Sequence, residues 1–389
     1  VAQTLRLTKP LERSILAGHP WIYSDALMPH RARPGDVVDV ADKRGRVLAR
    51  GLYEGGPIAV RVFTTRPKQR IDAALFRERA ELAFDLRKRA LPADTTAYRL
   101  LHGEGDRLPG VVCDRYGEHA VIKLDGEAIH AHRDALIEGL QEPLSRLGVR
   151  GALLRSSRKQ GLGVSLAFGE EPARELEVLE RGMRLIVNPW EGQKTGLFLD
   201  HRESRARVRG LSRDLRVLNL YGYTGGFSVA AGLGGARHVT TVDVAHPAID
   251  LAVRTFERNG LPNEAHEALA EDVPAFLSRL GELGTRFDLI IADPPNFAPS
   301  QQKLEAALES YRVLHGACLS ALDTGGLYLA ASCSSHVRAH DFIDTLREGA
   351  RRARRVLQVL EQSSAPFDHP RLLAFPEGDY LKVVLARVL

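Results

Sequence analysis

Leu289-Ile290-Ile291-Ala292 runs into Asp293-Pro294-Pro295-Asn296-Phe297, and further on Leu327-Tyr328-Leu329-Ala330-Ala331 runs into Ser332-Cys333-Ser334. Short unbroken apolar runs that stop at turn residues predict strands buried on both faces, as in a parallel α/β sheet. Such sheets bind ligands outside the carboxyl ends of their strands, so the pattern delivers an acid and a thiol to one edge. Upstream, Leu215-Arg216-Val217-Leu218-Asn219-Leu220 reads as the first strand of that sheet. Tyr221-Gly222-Tyr223-Thr224-Gly225-Gly226-Phe227-Ser228 is then a glycine-rich turn entering a helix, whose amides a ligand can approach. The strand His238-Val239-Thr240-Thr241-Val242 ends in Asp243, and Asp272 follows a third strand. From about Met183 onward, strands and helices alternate, the signature of a doubly wound sheet over residues 183–389.

The preceding chain has a different character. Residues 1–67 read as a small β-barrel, with Asp36–Val40, Val47–Tyr53 and Ile58–Phe63 separated by turns at Pro34-Gly35 and Gly55-Gly56-Pro57. Its basic and aromatic residues, Lys9, Arg13, His19, Trp21, Tyr23 and Arg50, suit contacts to phosphates or bases; equally, the aromatics suit a core and the cations a solvated face. Residues 68–182 open with a charged helix from Asp72 to Ala90, whose apolar stripe is Leu75, Phe76, Leu82 and Leu86. Strands at Val111–Tyr116 and Ala120–Leu124, a helix from Ala131 to Leu147 and a strand at Ala152–Leu154 complete an α+β insert. Arg155, Arg158 and Lys159, in the cluster closing that strand, are candidate RNA phosphate contacts, or simply exposed surface.

At 389 residues the chain exceeds what one hydrophobic core usually supports. The 44% hydrophobic content argues against disorder, no apolar run approaches a membrane span, and the N-terminus lacks a signal-peptide core, so a soluble cytoplasmic protein is expected. Three cysteines, Cys113, Cys318 and Cys333, have no metal-ligand spacing and fit a reducing compartment; no metal is expected. A net charge of +5 and a pI near 9.1 permit a polyanionic partner without requiring one.

Asp243 lies where nucleotide folds place an acid on ribose hydroxyls, and Asp272 is suited to an adenine amine. Hydride-transfer enzymes share the glycine turn and the first acid, but three acids at successive strand ends, with Asp293 the third, favour S-adenosylmethionine over NAD. Any one of them can instead cap a helix, a role that suits Asp272. An acid and a nucleophilic sulfur beside such a cofactor suggest methylation of a pyrimidine base.

The chain resembles the RlmI family of S-adenosylmethionine-dependent ribosomal RNA cytosine-5 methyltransferases along nearly its whole length. The resemblance is carried by His19-Pro20-Trp21-Ile22, Gly105-Asp106-Arg107-Leu108-Pro109-Gly110 with Asp114-Arg115-Tyr116, and Lys194-Thr195-Gly196-Leu197-Phe198-Leu199-Asp200-His201-Arg202. Tyr223–Phe227, Asp293-Pro294-Pro295, Ser332-Cys333-Ser334, Asp368-His369-Pro370 and Pro376–Lys382 add to it. It implies an N-terminal PUA domain, a central α+β domain, a C-terminal Rossmann-like class I methyltransferase domain, large-subunit ribosomal RNA as partner and a homodimer. Phe198, Asp200 and Arg202 would then line the cofactor pocket, Asn219, Tyr221 and Gly222 its floor, Asp243 would hold the ribose and Asp272 the adenine, and Asp293 would border both cofactor and base. Asp200 and Arg202 could otherwise be a surface ion pair, though the stretch before them is apolar for a solvent loop.

Cys333 would be the nucleophile and Asp293 the group that holds the base, with His336, Arg338 and Lys382 as candidate sources of positive charge near the thiol. Pro294-Pro295 stands where many RNA cytosine-5 methyltransferases carry a second cysteine, and Asn296 departs from the lysine or small residue frequent in the family. Asp-Pro-Pro followed by an aromatic also resembles the motif of amino-group methyltransferases, in which Phe297 would stack on the target base and Cys333 would be dispensable. A noncatalytic RNA-binding assembly protein on the same fold is the third reading.

Overall fold

The computed structural model describes residues 2–156 and 163–389 and divides the chain into two compact units, each built from separated stretches. The first holds Val1–Leu179, Val187–Leu199 and Phe367–Gly378; the second holds Glu180–Ile186, Asp200–Pro366 and Asp379–Leu389. No described helix is long and apolar enough to cross a membrane.

The first unit begins with a five-stranded sheet of β1 (Gln3–Arg6), β2 (Trp21–Tyr23), β3 (Val37–Ala41), β4 (Val47–Tyr53) and β5 (Ile58–Thr64), ordered β1-β3-β4-β5-β2. Alternating residues such as Val38, Val40, Leu48 and Val60 turn inward onto Leu5, Ile22 and Ile15 of the short helix α1 (Glu12–Leu16). A second sheet follows, β10-β9-β8-β7-β6, from β6 (Ala97–His102), β7 (Val111–Tyr116), β8 (His119–Leu124), β9 (Gly151–Arg155) and β10 (Val164–Gly169). Its apolar residues pack with α2 (Ala73–Ala90), α3 (Glu127–Ala131) and α4 (Arg133–Arg146) in one core. The strands β6 and β10 were not anticipated from the sequence.

Within α2 the expected stripe is corrected. Leu75 and Phe76 are buried, but Leu82 and Leu86 are 66% and 43% exposed. The inward positions belong to Arg79, Ala80, Ala83, Phe84 and Arg87. Arg87 is fully buried because its guanidinium forks onto the Asp106 carboxylate at 2.7 and 2.7 Å and also donates to the Arg99 and Asp368 carbonyls.

The ribbon of β11 (Leu176–Glu180) and β12 (Met183–Val187) brings Glu180–Ile186 into the second unit, which resumes at Asp200 and continues into α5 (Arg202–Leu211). The sheet then takes β13 (Arg216–Leu220), α6 (Gly226–Leu233), β14 (His238–Asp243), α7 (His246–Arg258), β15 (His266–Ala270), α8 (Val273–Leu283) and β16 (Phe287–Ala292). It closes with α9 (Leu304–Ser320), β17 (Leu322–Ser332), α10 (Ala339–Ala353), β18 (Leu357–Ser363) and β19 (Lys382–Val388). The order is β15-β14-β13-β16-β17-β19-β18, parallel except for β19, which is antiparallel to both neighbours. The chain reverses direction of winding beside β13, which is the switch point where a ligand crevice forms.

Both faces of this sheet are buried, as the unbroken apolar runs require. Leu218, Ile290, Tyr328 and Ala330 face one core, with Phe276, Tyr311 and Phe342. Val217, Leu289, Ile291, Leu329 and Ala331 face the other, with Val208, Phe227 and Phe256. The period of two carries Asp293 on from Ile291, and Cys333 on from Ala331, toward the same face.

Candidate active site

The geometry of the site follows from where the strands stop. Parallel β16 and β17 pair Ala292 with Ala330, so Asp293 and Cys333 leave neighbouring strands at the same carboxyl edge. Their two loops are tied together. Ser334 donates its hydroxyl to Asn296 Oδ1 at 2.6 Å, and that same oxygen accepts the Ala298 amide at 3.0 Å. Tyr311, rising from α9, donates to Ser332 Oγ at 2.9 Å. Burial, then the neighbouring Cys333 and Asp293, push the Tyr311 phenol up to about 12 against the pull of the serine hydroxyls, so it stays a neutral donor. Asn296, whose role the sequence left in doubt, is thus the brace between the acid loop and the thiol loop.

Of the three proposed sources of positive charge near Cys333, Lys382 is the one the structure brings to the thiol's strand. It lies opposite Ser332 in the β17–β19 ladder, is buried, and donates Nζ to the carbonyls of Ser334 at 2.5 Å and Tyr380 at 2.8 Å. Burial pulls its ammonium down to about 8, while Cys333 and Asp379 favour the charged form. Arg338 instead caps α10 and is exposed, and His336 sits in the turn before it. Cys113 and Cys318 are fully buried; burial raises both thiols, that of Cys318 to about 12, so neither is a candidate nucleophile.

The sequence reading passed over His201. Its ring is buried with Nε2 3.1 Å from Asp293 Oδ2, Nδ1 3.5 Å from Ser204 Oγ, and its edge on Phe227. The available signal was its place between Asp200 and Arg202 in a conspicuously apolar stretch. Asp200 and Arg202 are themselves 3% and 1% exposed, which removes the surface ion pair as an account of them. Asp200 Oδ2 accepts the Tyr380 hydroxyl at 2.7 Å, and Arg202 opens α5. Behind them, Arg205 forks onto Glu180 at 2.6 and 2.6 Å, both buried, and fixes α5 to the ribbon strand β11. Phe198 belongs to the other unit, where the Lys194 ammonium lies 4.3 Å from its ring centre.

The glycine turn after β13 is built for close approach. Tyr221 and Tyr223 adopt φ of 58° and 47°, left-handed values that few non-glycine residues tolerate. A Cβ on Gly222 would lie 2.5 Å from Thr241 Cγ2 and 3.0 Å from Asn219 Nδ2, so the backbone here occupies the space of a side chain. Beneath it a buried relay fixes the floor: Asn219 Nδ2 donates to Ser228 Oγ at 2.8 Å, Ser228 meets Thr241 Oγ1 at 2.6 Å, and Thr241 meets His266 Nε2 at 2.7 Å. Burial lowers His266 to about 4, so its ring is neutral. Asp243 receives the Tyr223 amide on Oδ2 and the Ala245 amide on Oδ1, both at 2.9 Å, which aims the carboxylate while leaving each oxygen a further lone pair. Asp272 is exposed and caps α8 through the Ala275 amide at 3.1 Å.

The candidate RNA contacts in the first unit are engaged within the fold. The Trp21 indole donates to Glu104 at 2.8 Å and packs edge-on against Phe375 and Tyr23. The Arg155 guanidinium reaches the carbonyls of Pro189, Trp190, Gly192 and Lys194, organising the loop before Phe198 rather than facing solvent. Arg158 and Lys159 lie outside the described residues.

A glycine turn built for close approach, the Asp243 carboxylate at the end of β14 and the buried Asp200 and Arg202 are donor types that fit an adenosylated amino acid. Comparison with known proteins agrees. Residues 150–385 match the family of S-adenosylmethionine-dependent methyltransferases, and residues 5–65 match a PUA-like domain. The ribosomal RNA large subunit methyltransferase I of Klebsiella pneumoniae is 37% identical over 99% of this chain and 98% of its own length, and that of Shigella boydii 35% over 99% of each. A Streptococcus mutans structure solved as a candidate S-adenosylmethionine-dependent methyltransferase superposes with a TM-score of 0.89 at 25% identity, covering 99% of this chain and 100% of its own. A second, of a protein solved in complex with S-adenosylhomocysteine, gives 0.89 at 24% identity, covering 100% of each chain. The chain therefore belongs to the ribosomal RNA large subunit methyltransferase I family of S-adenosylmethionine-dependent methyltransferases.

Proposed function

We propose that this enzyme forms 5-methylcytidine in large-subunit (23S) ribosomal RNA through a covalent adduct on Cys333. The observation that carries the reading is the pairing of Asp293 and Cys333 at adjacent strand ends, with Lys382 buried on the strand beside the thiol. S-adenosylmethionine supplies an electrophilic methyl group; Asp200, Arg202, Asn219, Tyr221, Gly222, Asp243 and Asp272 are the residues assigned to hold it.

Carbon 5 of cytosine is a poor nucleophile, and addition of the Cys333 thiolate to carbon 6 makes it enamine-like. Addition places negative charge on N3 of the ring, which the Asp293 carboxyl meets by donating a proton to N3 while its other oxygen accepts the amino group of the base. His201 acts as a positioning residue, holding the Asp293 carboxylate through its 3.1 Å contact. Lys382 favours the thiolate over the thiol by its charge. Once carbon 5 has taken the methyl group, water in the site accepts its proton, the electrons of that C–H bond re-form the 5,6 double bond, and the carbon 6–sulfur bond breaks to return the Cys333 thiolate.

The amino-group alternative needs Phe297 free to stack on the base, whereas its ring packs against Tyr311 at 5.0 Å between centres, which supports the cysteine reading. The test is methyl transfer from labelled S-adenosylmethionine to RNA of a strain lacking the gene, followed by nucleoside analysis. Label in 5-methylcytidine with wild type and none with Cys333→Ala, together with covalent trapping by 5-fluorocytidine RNA, is the expected result. Label in a purine, or full activity of Cys333→Ala, would overturn it. The same reading includes a homodimer in the cytoplasm, checked by sedimentation of the purified protein and by fractionation of the cells that make it.

A further inference from the structure

A surface cavity of about 170 Å³ opens beside α2 in the first unit. Its apolar wall includes Leu82 and Leu86, the leucines of α2 that the fold leaves in solvent, and its cations are Arg66, Arg79 and Arg107. Arg79 is 4% exposed, and its guanidinium donates to the carbonyls of Phe63 and Arg107, so it is fixed in place and also fixes the backbone of Arg107, which bends at a φ of 61°. Among the described residues neither Arg66 nor Arg107 forms an ion pair. Asp106, on the same wall, is already neutralised by the buried fork of Arg87, which leaves Glu78 as the one uncommitted acid against three guanidinium groups. Burial and then repulsion from Arg107 pull Arg79 down to about 10, a cost that an anion in the cavity would relieve.

We propose that this cavity is a nucleotide-binding subsite, taking a phosphate on Arg66 and Arg107 over the fixed charge of Arg79 and the attached base on Leu82 and Leu86. The proposal rests on the RNA substrate of the proposed function and adds to it a binding site remote in sequence from the residues assigned to chemistry. Arginine forks match phosphate oxygens, and bases of single-stranded RNA settle on apolar or guanidinium surfaces, so cavity and occupant are complementary in charge and in polarity.

The test uses the full chain, a short single-stranded RNA and fluorescence anisotropy across a salt series. Replacing Arg66 and Arg107 together by serine is expected to raise Kd and flatten the slope of log K against log salt by about 0.7 for each phosphate that is no longer neutralised. Leu82→Ser with Leu86→Ser, at exposed positions that the fold does not need, is expected to raise Kd with the slope unchanged. Both pairs should bind S-adenosylmethionine as wild type does. Unchanged Kd and slope in both variants would overturn the proposal. Adenosine monophosphate is the second probe: if it binds the wild type and not the arginine variant while RNA binding is the same in both, the site serves a free nucleotide and the RNA assignment falls. RNA binding that depends on these residues in a protein that forms no 5-methylcytidine would count against the reaction alone.

Discussion

Replacing His201 by alanine isolates its contact with Asp293, the acid proposed to hold the base. The imidazole and the Asp293 carboxylate meet at 3.1 Å with side chains 2% and 18% exposed, so water replaces the missing partner poorly. A hydrogen bond to a charged group in such surroundings contributes about 1.5–3 kcal/mol. At about 1.4 kcal/mol per tenfold, His201→Ala should lower kcat by roughly 10- to 150-fold. The loss should fall on kcat, because the carboxylate's orientation matters most as charge develops on the base, while the Kd for S-adenosylmethionine stays within about twofold. His201→Gln keeps an N–H donor on a side chain of similar reach and should recover most of the rate. The assay is single-turnover formation of 5-methylcytidine, with calorimetry for the cofactor. Wild-type kinetics in His201→Ala would make the contact idle; equal loss in both variants together with abolished cofactor binding would make His201 a prop for the fold around Asp200 and Arg202.

Lys382 sets a pH dependence of stability whose sign differs from that of an ordinary paired lysine. Its folded value near 8 lies below the ordinary 10.5, so between those limits the unfolded chain binds the extra proton and stability rises with pH, by up to about 3 kcal/mol. Lys382→Met should remove that rise, read as the difference in denaturation midpoint between wild type and variant at pH 7.5 and pH 10, and a difference that does not change with pH would count against the assignment. Glu180→Gln strands the buried Arg205 and should cost about 3–5 kcal/mol, seen as a lower thermal midpoint; an unchanged midpoint would mean that the fork contributes nothing net.

Much of the second unit was legible because its strands are buried on both faces. An unbroken apolar run such as Leu289–Ala292 has few other solutions, and the acid or thiol that ends it is placed by the same fact. What escaped the sequence were groups whose environment is made by distant chain. Arg79 and Arg87 count as polar in any periodic reading of α2, which sends the stripe to Leu82 and Leu86, yet carbonyls of Phe63, Arg99 and Asp368 make the inward positions hospitable to guanidinium groups. Arg155 looked like surface because nothing local reveals four carbonyls converging on it. The edge strand β10, exposed along much of its length, has no inward pattern to read. His201 was hidden in plain view inside a motif, since its meaning depends on Asp293, which the chain brings back to it only after four further strands.

The interleaving of the two units sets an order of events on the ribosome. Arg87 and the Arg99 amide in the first unit find their buried partners in Asp368, which belongs to the segment Phe367–Gly378. That segment is synthesised only after Asp200–Pro366, so the unit begun first stays open until most of the second has been made. Arg87 and the Arg99 amide must wait for Asp368 while β13 to β18 are translated, and the sheet that carries Cys333 is in turn completed only by β19, after the first unit has received its last segment.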